Sequence, residues 1–235
     1  MIENIDVLIL CGGEGKRLRQ ISGRVPKPMV RVGGRVFLDI IIDYLQRSGF
    51  KRIILGIGYR AGFIRKYYSE HKAHGVEIIF SEEKKPLGTG GAVKKAKRLI
   101  KSESFLVLNG DTFSKFKADR FIKFYQQKKA RLLILLRRAE TNKDYGAITI
   151  DRRSKITSFS EKNVSSRVNF VNGGVYLFSK SVFSEMPDKS KFSLEYDFFP
   201  RMVGKGFYGY KESGFFIDIG IPERYLSAKK YFLKR

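Results

Sequence analysis

Residues 5–18 read Ile5-Asp6-Val7-Leu8-Ile9-Leu10-Cys11-Gly12-Gly13-Glu14-Gly15-Lys16-Arg17-Leu18, an apolar run of strand length that breaks into glycines and then cations. A near-continuous apolar run is the mark of a strand covered on both faces. Similar runs recur at 53–55, 76–80, 105–108 and 132–136. Helical spacing of apolar residues fills the gaps at 37–45, which stops at Gly49, and at 63–68 and 92–100. Strands alternating with helices give βαβ units, and right-handed crossovers lay such strands into one doubly wound, mostly parallel (Rossmann-like) sheet. After Arg138 the pattern changes. Runs at 147–150 and 156–159, joined by Asp151-Arg152-Arg153-Ser154, read as a β-hairpin. A strand at 170–178, a helix at 194–203, a late strand at 215–219 and a terminal helix from about Glu223 complete the α/β fold. With no flexible linker, the second half reads as an elaboration of a single domain.

Composition narrows the class. The chain has 235 residues, 43% of them hydrophobic, which suffices for a core and excludes a disordered chain. No apolar run approaches the roughly 20 residues of a membrane helix. The first ten residues carry Glu3 and Asp6 in place of a basic leader, and a lone Cys11 can form no internal disulfide, so a reducing cytoplasm is expected. Lys and Arg total 47 against 23 acids, a net charge of +24. Such a charge fits nucleic acid or a small polyanionic substrate. The cations are scattered, as in Lys94-Lys95, Lys128-Lys129, Arg152-Arg153 and Lys229-Lys230, which favours a basic surface that steers small anions.

In an open α/β sheet ligands bind beyond the carboxyl ends of the strands. The glycines at 12, 13 and 15 let a phosphate approach the backbone there. Neither common phosphate loop fits: Leu18 stands where a dinucleotide fingerprint needs glycine, and Lys16-Arg17 stands where a P-loop needs Lys-Ser or Lys-Thr. Further on, Val25-Pro26-Lys27-Pro28-Met29 fixes a lysine between two prolines, either to meet a phosphate at little entropic cost or as a rigid surface turn. Asp111 and Asp218 each close an apolar strand beside a glycine. As a pair they can point hard oxygens at Mg²⁺; singly, each reads as a cap. His71 and His74 share a polar turn, and no nucleophile, histidine and carboxylate constellation is present, so a general base is not expected.

These segments together resemble the sugar-phosphate nucleotidyltransferases. The carriers are Gly12-Gly13-x-Gly15-x-Arg17-Leu18 followed by Pro26-Lys27-Pro28-Met29, with Lys16 where members often have threonine. Pro86-Leu87-Gly88-Thr89-Gly90-Gly91-Ala92, Asn109-Gly110-Asp111, Tyr145-Gly146, Phe159-Ser160-Glu161-Lys162, Asn172-Gly173-Gly174 and Asp218-Ile219-Gly220-Ile221-Pro222-Glu223 follow in the family's order. The resemblance implies transfer of a nucleotidyl group from an NTP to a sugar 1-phosphate, releasing pyrophosphate, with Mg²⁺ on Asp111 and Asp218. By the same likeness Arg17, Lys27, Asp111 and Lys162 are catalytic. Gly12, Gly13, Gly88, Thr89 and Gly110 line the nucleotide, while Gly146, Glu161, Lys162, Asn172 and Gly173 face the sugar. The nucleotide part is about 1–138 and the sugar part about 139–222; homo-oligomerisation stays open. The cations would neutralise charge developing on the phosphates, and a sugar 1-phosphate, with a second pKa of about 6 by analogy with phosphoserine, attacks without a base.

The base can be read from carboxylates. Guanine offers two adjacent N–H donors that one carboxylate accepts together, and Glu82 and Glu83 precede the Pro86-Leu87-Gly88-Thr89 loop; the other reading is of solvated strand-end charges. Segments 172–174, 191–195 and 218–223 look most like the branch using GTP and D-glycero-α-D-manno-heptose 1-phosphate. A cytidylyl-, uridylyl- or mannose-1-phosphate guanylyltransferase, and a non-catalytic nucleic-acid or regulatory binding protein, are the alternatives.

Overall fold

The computed structural model describes residues 2–71, 75–138, 147–160 and 170–233. The first half runs β1 (Val7–Cys11), α1 (Arg19–Ser22), β2 (Arg31–Val32), β3 (Arg35–Val36), α2 (Phe37–Arg47), β4 (Arg52–Ile57), α3 (Ala61–Glu70) and β5 (Glu77–Glu82). Then come α4 (Gly88–Ala96), β6 (Ser104–Asn109), β7 (Thr112–Ser114), α5 (Ala118–Gln127) and β8 (Leu132–Arg138). The second half adds β9 (Ala147–Ile150), β10 (Ile156–Ser160), β11 (Phe170–Ser179), α6 (Phe199–Met202), β12 (Phe207–Lys211), β13 (Phe216–Asp218) and α7 (Pro222–Leu233).

Among the described residues nine strands form one sheet in the order β10-β9-β11-β6-β1-β4-β5, with β8 beside β11 and β12 beside β8. The pairings of β1, β4, β5 and β6 are parallel, as the expected βαβ units require. β11 runs against both β6 and β8 and lies between them, so 132–136 is separated from the first four strands by a strand of the second half. Only β10 and β11 oppose the common direction, and the sheet is mostly parallel as expected.

Alternate side chains of each strand fall on opposite faces, and two apolar layers result. Val7, Ile9, Leu106, Leu133 and Val175 pack with α2, α3, α5 and α7, whereas Leu8, Val107, Ile134 and Tyr176 pack with α4, α6 and the β9–β10 hairpin. α2 forms because Phe37, Leu38, Ile41, Ile42 and Leu45 make one stripe, and it ends before Gly49 at φ 96°. The helix expected at 92–100 begins four residues earlier, at Gly88, and stops at Ala96. The helix expected at 194–203 is a π-helical turn, Leu194–Phe198, continued by α6. The late strand at 215–219 forms, but as β13 it pairs with β7 in a separate two-stranded ribbon.

One buried ion pair anchors the foot of the sheet. Asp6, 3% exposed, accepts from Arg52 Nη1 at 2.7 Å and from the backbone N–H groups of Lys101 and Ser102. Burial raises its pKa, but those bonds outweigh it and hold the carboxyl below its usual range. A depressed folded pKa contributes stability above the unfolded value, and that contribution is lost as pH falls through the folded one. Asp6→Ala is expected to cost about 1–3 kcal/mol in denaturant unfolding at pH 7, because the Lys101 and Ser102 N–H groups lose their acceptor while Arg52 keeps Glu77 at 3.2 Å and the Leu99 carbonyl at 2.9 Å. The difference from wild type should shrink as pH falls below about 4.

Candidate active site

β1, β4, β5 and β6 end at one edge of the sheet, and a cleft of about 650 Å³ opens there. Its walls come from the Gly12–Arg17 turn after β1, Gly58 and Tyr59 after β4, Glu83–Pro86 after β5, Gly88 and Thr89, Asn109 and Asp111 after β6, and Lys27 and Gly220. Five cations, Lys16, Arg17, Lys27, Lys84 and Lys85, face three acids, Glu14, Glu83 and Asp111, so the cleft attracts anions.

Asp111 and Lys27 meet inside it. Met29 N–H bonds Pro26 O and tightens the Pro26-Lys27-Pro28-Met29 turn, in which Lys27 is buried, and Lys27 Nζ lies 2.5 Å from Asp111 Oδ2. Burial raises the Asp111 pKa, while the Lys27 charge, its hydrogen bond and the Thr112 hydroxyl on Oδ1 outweigh it and keep the carboxyl below its usual range. Gly110 carries Asp111 forward by packing on β1: a Cβ there would fall 2.7 Å from Leu10 O. Gly110 itself lies behind the wall.

Asp218 comes up beside Asp111 by a route that the sequence does not show. The two aspartates do not close equivalent strands of the main sheet; Asp111 sits between β6 and β7, and the β7–β13 ribbon sets Asp218 opposite Thr112. Ile219 N–H then bonds Asp111 O at 2.9 Å. Asp218 accepts from Gly220 N–H at 2.9 Å and from Arg224 at 2.5 Å. A Cβ on Gly220 would lie 2.7 Å from Asp218 Oδ1 and 3.4 Å from Lys27 Nζ, so Lys27, which bonds Asp111, and the Asp218 carboxylate both flank a residue without a side chain; Asp218 itself does not line the cleft. Among the described residues no cluster of three or more His, Cys, Asp or Glu could hold a metal. Two hard carboxylates suit an ion that keeps waters and takes substrate phosphates as ligands, as Mg²⁺ does, rather than a closed cage.

Of the remaining sequence-derived candidates, Arg17 stands exposed at the rim, and Gly12, Gly13, Gly88 and Thr89 line the cleft. Glu82 does not. Strand alternation turns it outward to pair with Arg65, which also covers Phe80 two residues earlier, whereas Glu83 lines the cleft. A Cβ on Gly12 or Gly58 would fall 2.3 or 2.6 Å from Glu83 Oε1, so these glycines make room for that carboxylate. Burial pushes the Glu83 carboxyl above its usual range, against the Leu87 N–H that bonds Oε2 at 3.1 Å. Asn172 and Gly173 lie outside this cleft: Asn172 bonds Gly174 N–H and the Tyr176 hydroxyl across a β-bulge, and Gly173 O accepts from Ser114. Gly146, Glu161, Lys162 and His74 lie outside the described residues. His71 stacks on Tyr67 at 4.4 Å, away from the cleft. Tyr59, Lys84 and Lys85 were not singled out in the sequence; their one signal was a place just beyond a strand end.

Comparison with known proteins bears on the family and the fold. The chain is 38% identical over 227 residues to the D-glycero-alpha-D-manno-heptose 1-phosphate guanylyltransferase of Aneurinibacillus thermoaerophilus, covering 96% of this chain and 97% of that one. It is similar in structure to HddC from Yersinia pseudotuberculosis, with a TM-score of 0.87 and 36% identity over 97% of this chain and 99% of that chain. HddC complexed with GMP-PN matches at a TM-score of 0.85 over the same shares. The nucleotidyl transferase family matches residues 6–235, and with this sheet, cleft and coverage the chain belongs to that family.

Proposed function

We propose that this protein transfers the guanylyl group of GTP to D-glycero-α-D-manno-heptose 1-phosphate, giving the GDP-sugar and pyrophosphate. The observation that carries the proposal is the Lys27–Asp111 pair in a cationic cleft, with Asp218 set just behind the cleft residue Gly220. The guanylyltransferase relative and the GMP-PN complex of HddC support the base and the sugar. A cytoplasmic location is part of this reading; among the described residues no helix is long and apolar enough to cross a membrane.

The chain's own groups account for the chemistry. Asp111 and Asp218 would hold Mg²⁺, which supplies charge neutralisation on the reacting phosphates. Lys27, fixed by its prolines and by Asp111, is aimed before substrate arrives, and Arg17 at the rim meets the departing pyrophosphate. A sugar phosphate oxygen attacks the α-phosphorus in line; the O–P bond to pyrophosphate breaks, and no proton need be removed from the dianion. Residues 1–138 would serve the nucleotide and 139–222 the sugar, the latter through Gly146, Glu161, Lys162, Asn172 and Gly173. GTP labelled on its α-phosphorus should then pass label to the sugar nucleotide, whereas γ-label should leave in pyrophosphate. Label from the γ position in the sugar product would contradict the proposal.

Glu83, in place of Glu82, is the guanine acceptor in this reading. Its carboxylate can take the guanine ring N–H and amino group together. Glu83→Gln replaces one acceptor by a donor, and kcat/KM for GTP is expected to fall about 10- to 100-fold, the range of a charged hydrogen bond, with a much smaller change for UTP. Glu82→Gln should leave both unchanged.

A further inference from the structure

The segment Lys191-Phe192-Ser193-Leu194-Glu195 stood out in the sequence, and the chemistry described so far does not use it. It lies against the start of α4. Phe192 O accepts from Gly90 N–H at 3.0 Å and Gly91 N–H at 3.2 Å, and Phe192 N–H donates to Leu87 O at 2.9 Å. Thr89 Oγ1 donates to Glu195 Oε2 at 2.7 Å and accepts from Leu194 N–H at 2.8 Å; Ser193 Oγ donates to the same Glu195 oxygen at 2.7 Å. A Cβ at 91 would come within 2.2 Å of Ser190 O, and one at 90 within 2.2 Å of the Phe192 ring. The glycines at 90 and 91 therefore admit this segment rather than a phosphate, and their two helix-end N–H groups are already bonded.

The bonds lead to Glu83. Leu87, held through its carbonyl by Phe192, donates its own N–H to Glu83 Oε2 at 3.1 Å. Two peptide units away, Thr89 is held by Glu195, 106 positions further along the chain. We propose that Glu195 is a positioning residue for nucleotide choice: through Thr89 and the Leu87 turn it fixes the wall on which Glu83 is presented. The inference rests on Glu83 as the guanine acceptor. It makes base selection depend on a residue that touches no substrate, and it explains the hydroxyl at 89, whose proton goes to Glu195 and which accepts from Leu194 N–H.

The test is steady-state kinetics with GTP and with UTP, alongside thermal unfolding, for Glu195→Ala, Glu195→Gln, Thr89→Val and Asp197→Ala. Asp197 ties the same segment through Ser193 N–H and Lys189 but does not touch Thr89, so it reports the effect of loosening alone. Glu195→Ala and Thr89→Val should each lower the GTP-to-UTP ratio of kcat/KM about tenfold, the worth of one net hydrogen bond, chiefly by raising KM for GTP. Glu195→Gln keeps an acceptor and should restore most of the ratio, and Asp197→Ala should lower the melting temperature while leaving the ratio within about twofold of wild type. Unchanged ratios in Glu195→Ala and Thr89→Val, or an equal fall in Asp197→Ala, would overturn the inference. If Glu195→Ala does not fold, Thr89→Val, which swaps a hydroxyl for a methyl, decides it. Wild type with no preference for GTP would overturn the guanine reading and this inference with it; a selective wild type with unaltered variants overturns this inference alone.

Discussion

Asp111→Asn should fold, retain the Thr112 contact and bind nucleotide, yet lose turnover by about 10²–10³-fold, the range seen when one preorganised charge-stabilising group is removed. The amide is isosteric but neutral and a poor ligand for a hard divalent cation. Asp111 is also the partner of Lys27 at 2.5 Å, so the substitution frees the lysine from its fixed direction. The loss should lie mainly in kcat, because the carboxylate acts on charge that develops during transfer and not on the base or the ribose. Asp218→Asn should behave in the same sense, with the Arg224 contact weakened as well. Near-normal kcat in Asp111→Asn at saturating Mg²⁺ would show that the carboxylate is not part of the reacting centre.

Lys27→Met should show the second-largest effect, on turnover and stability together. The lysine is 8% exposed, so its cation is retained in the fold by Asp111, and removing it strands a carboxylate on the cleft floor. A fully buried pair broken in this way costs about 3–5 kcal/mol. Here 36% of the Asp111 side chain remains open, and solvent screening lowers the expected cost to about 1–3 kcal/mol. The pH dependence has a definite sign. In wild type the Asp111 carboxyl is depressed, so its contribution is present above the ordinary carboxylate value and is lost as pH falls through the lower, folded one. Without Lys27 only the Thr112 hydroxyl and a backbone hydrogen bond oppose the burial, and the loss should move to higher pH. The double variant Lys27→Met/Asp111→Asn should recover part of the stability, since no buried charge is left unpaired. A double variant as unstable as the sum of the two single ones would mean that they act independently.

Much of this architecture was legible because its determinants are local. β1 and α2 are written in apolar spacing, and the β9–β10 hairpin in the polar Asp151–Ser154 turn, where Asp151 Oδ1 accepts from Arg153 and Lys155 N–H. α5 was legible too, with Ala118, Phe121 and Ile122 at helical spacing, but went unread among its charged neighbours. Other features depend on distant contacts. α4 opens on Gly88-Thr89-Gly90-Gly91, poor helix formers, and its start is set by the Phe192 backbone. Nothing near β11 announces that it will slip between β6 and β8, since strand order is a long-range property. β12, with glycine between two tyrosines, gave too short an apolar signal.

The site divides along the same line. Residue types and strand-end positions pointed to Lys27, Asp111 and Asp218, because chemistry restricts which side chains hold phosphates and hard cations. The ribbon that brings Asp218 to Asp111, and the bond from Lys27, are tertiary facts. The choice between Glu82 and Glu83 turned on where β5 ends. Inside the strand alternation sends Glu82 out to Arg65, and one residue later the chain has left the sheet.

The most direct measurement is pyrophosphate release by the wild-type chain, in Mg²⁺, across GTP, ATP, CTP and UTP, each paired with heptose, mannose and glucose 1-phosphates. The account predicts the highest kcat/KM for GTP with D-glycero-α-D-manno-heptose 1-phosphate, a lower value for GTP with mannose 1-phosphate, and little release with any other base. Preference for CTP or UTP would contradict the guanine assignment, and no sugar-dependent pyrophosphate from any pair would contradict nucleotidyl transfer itself.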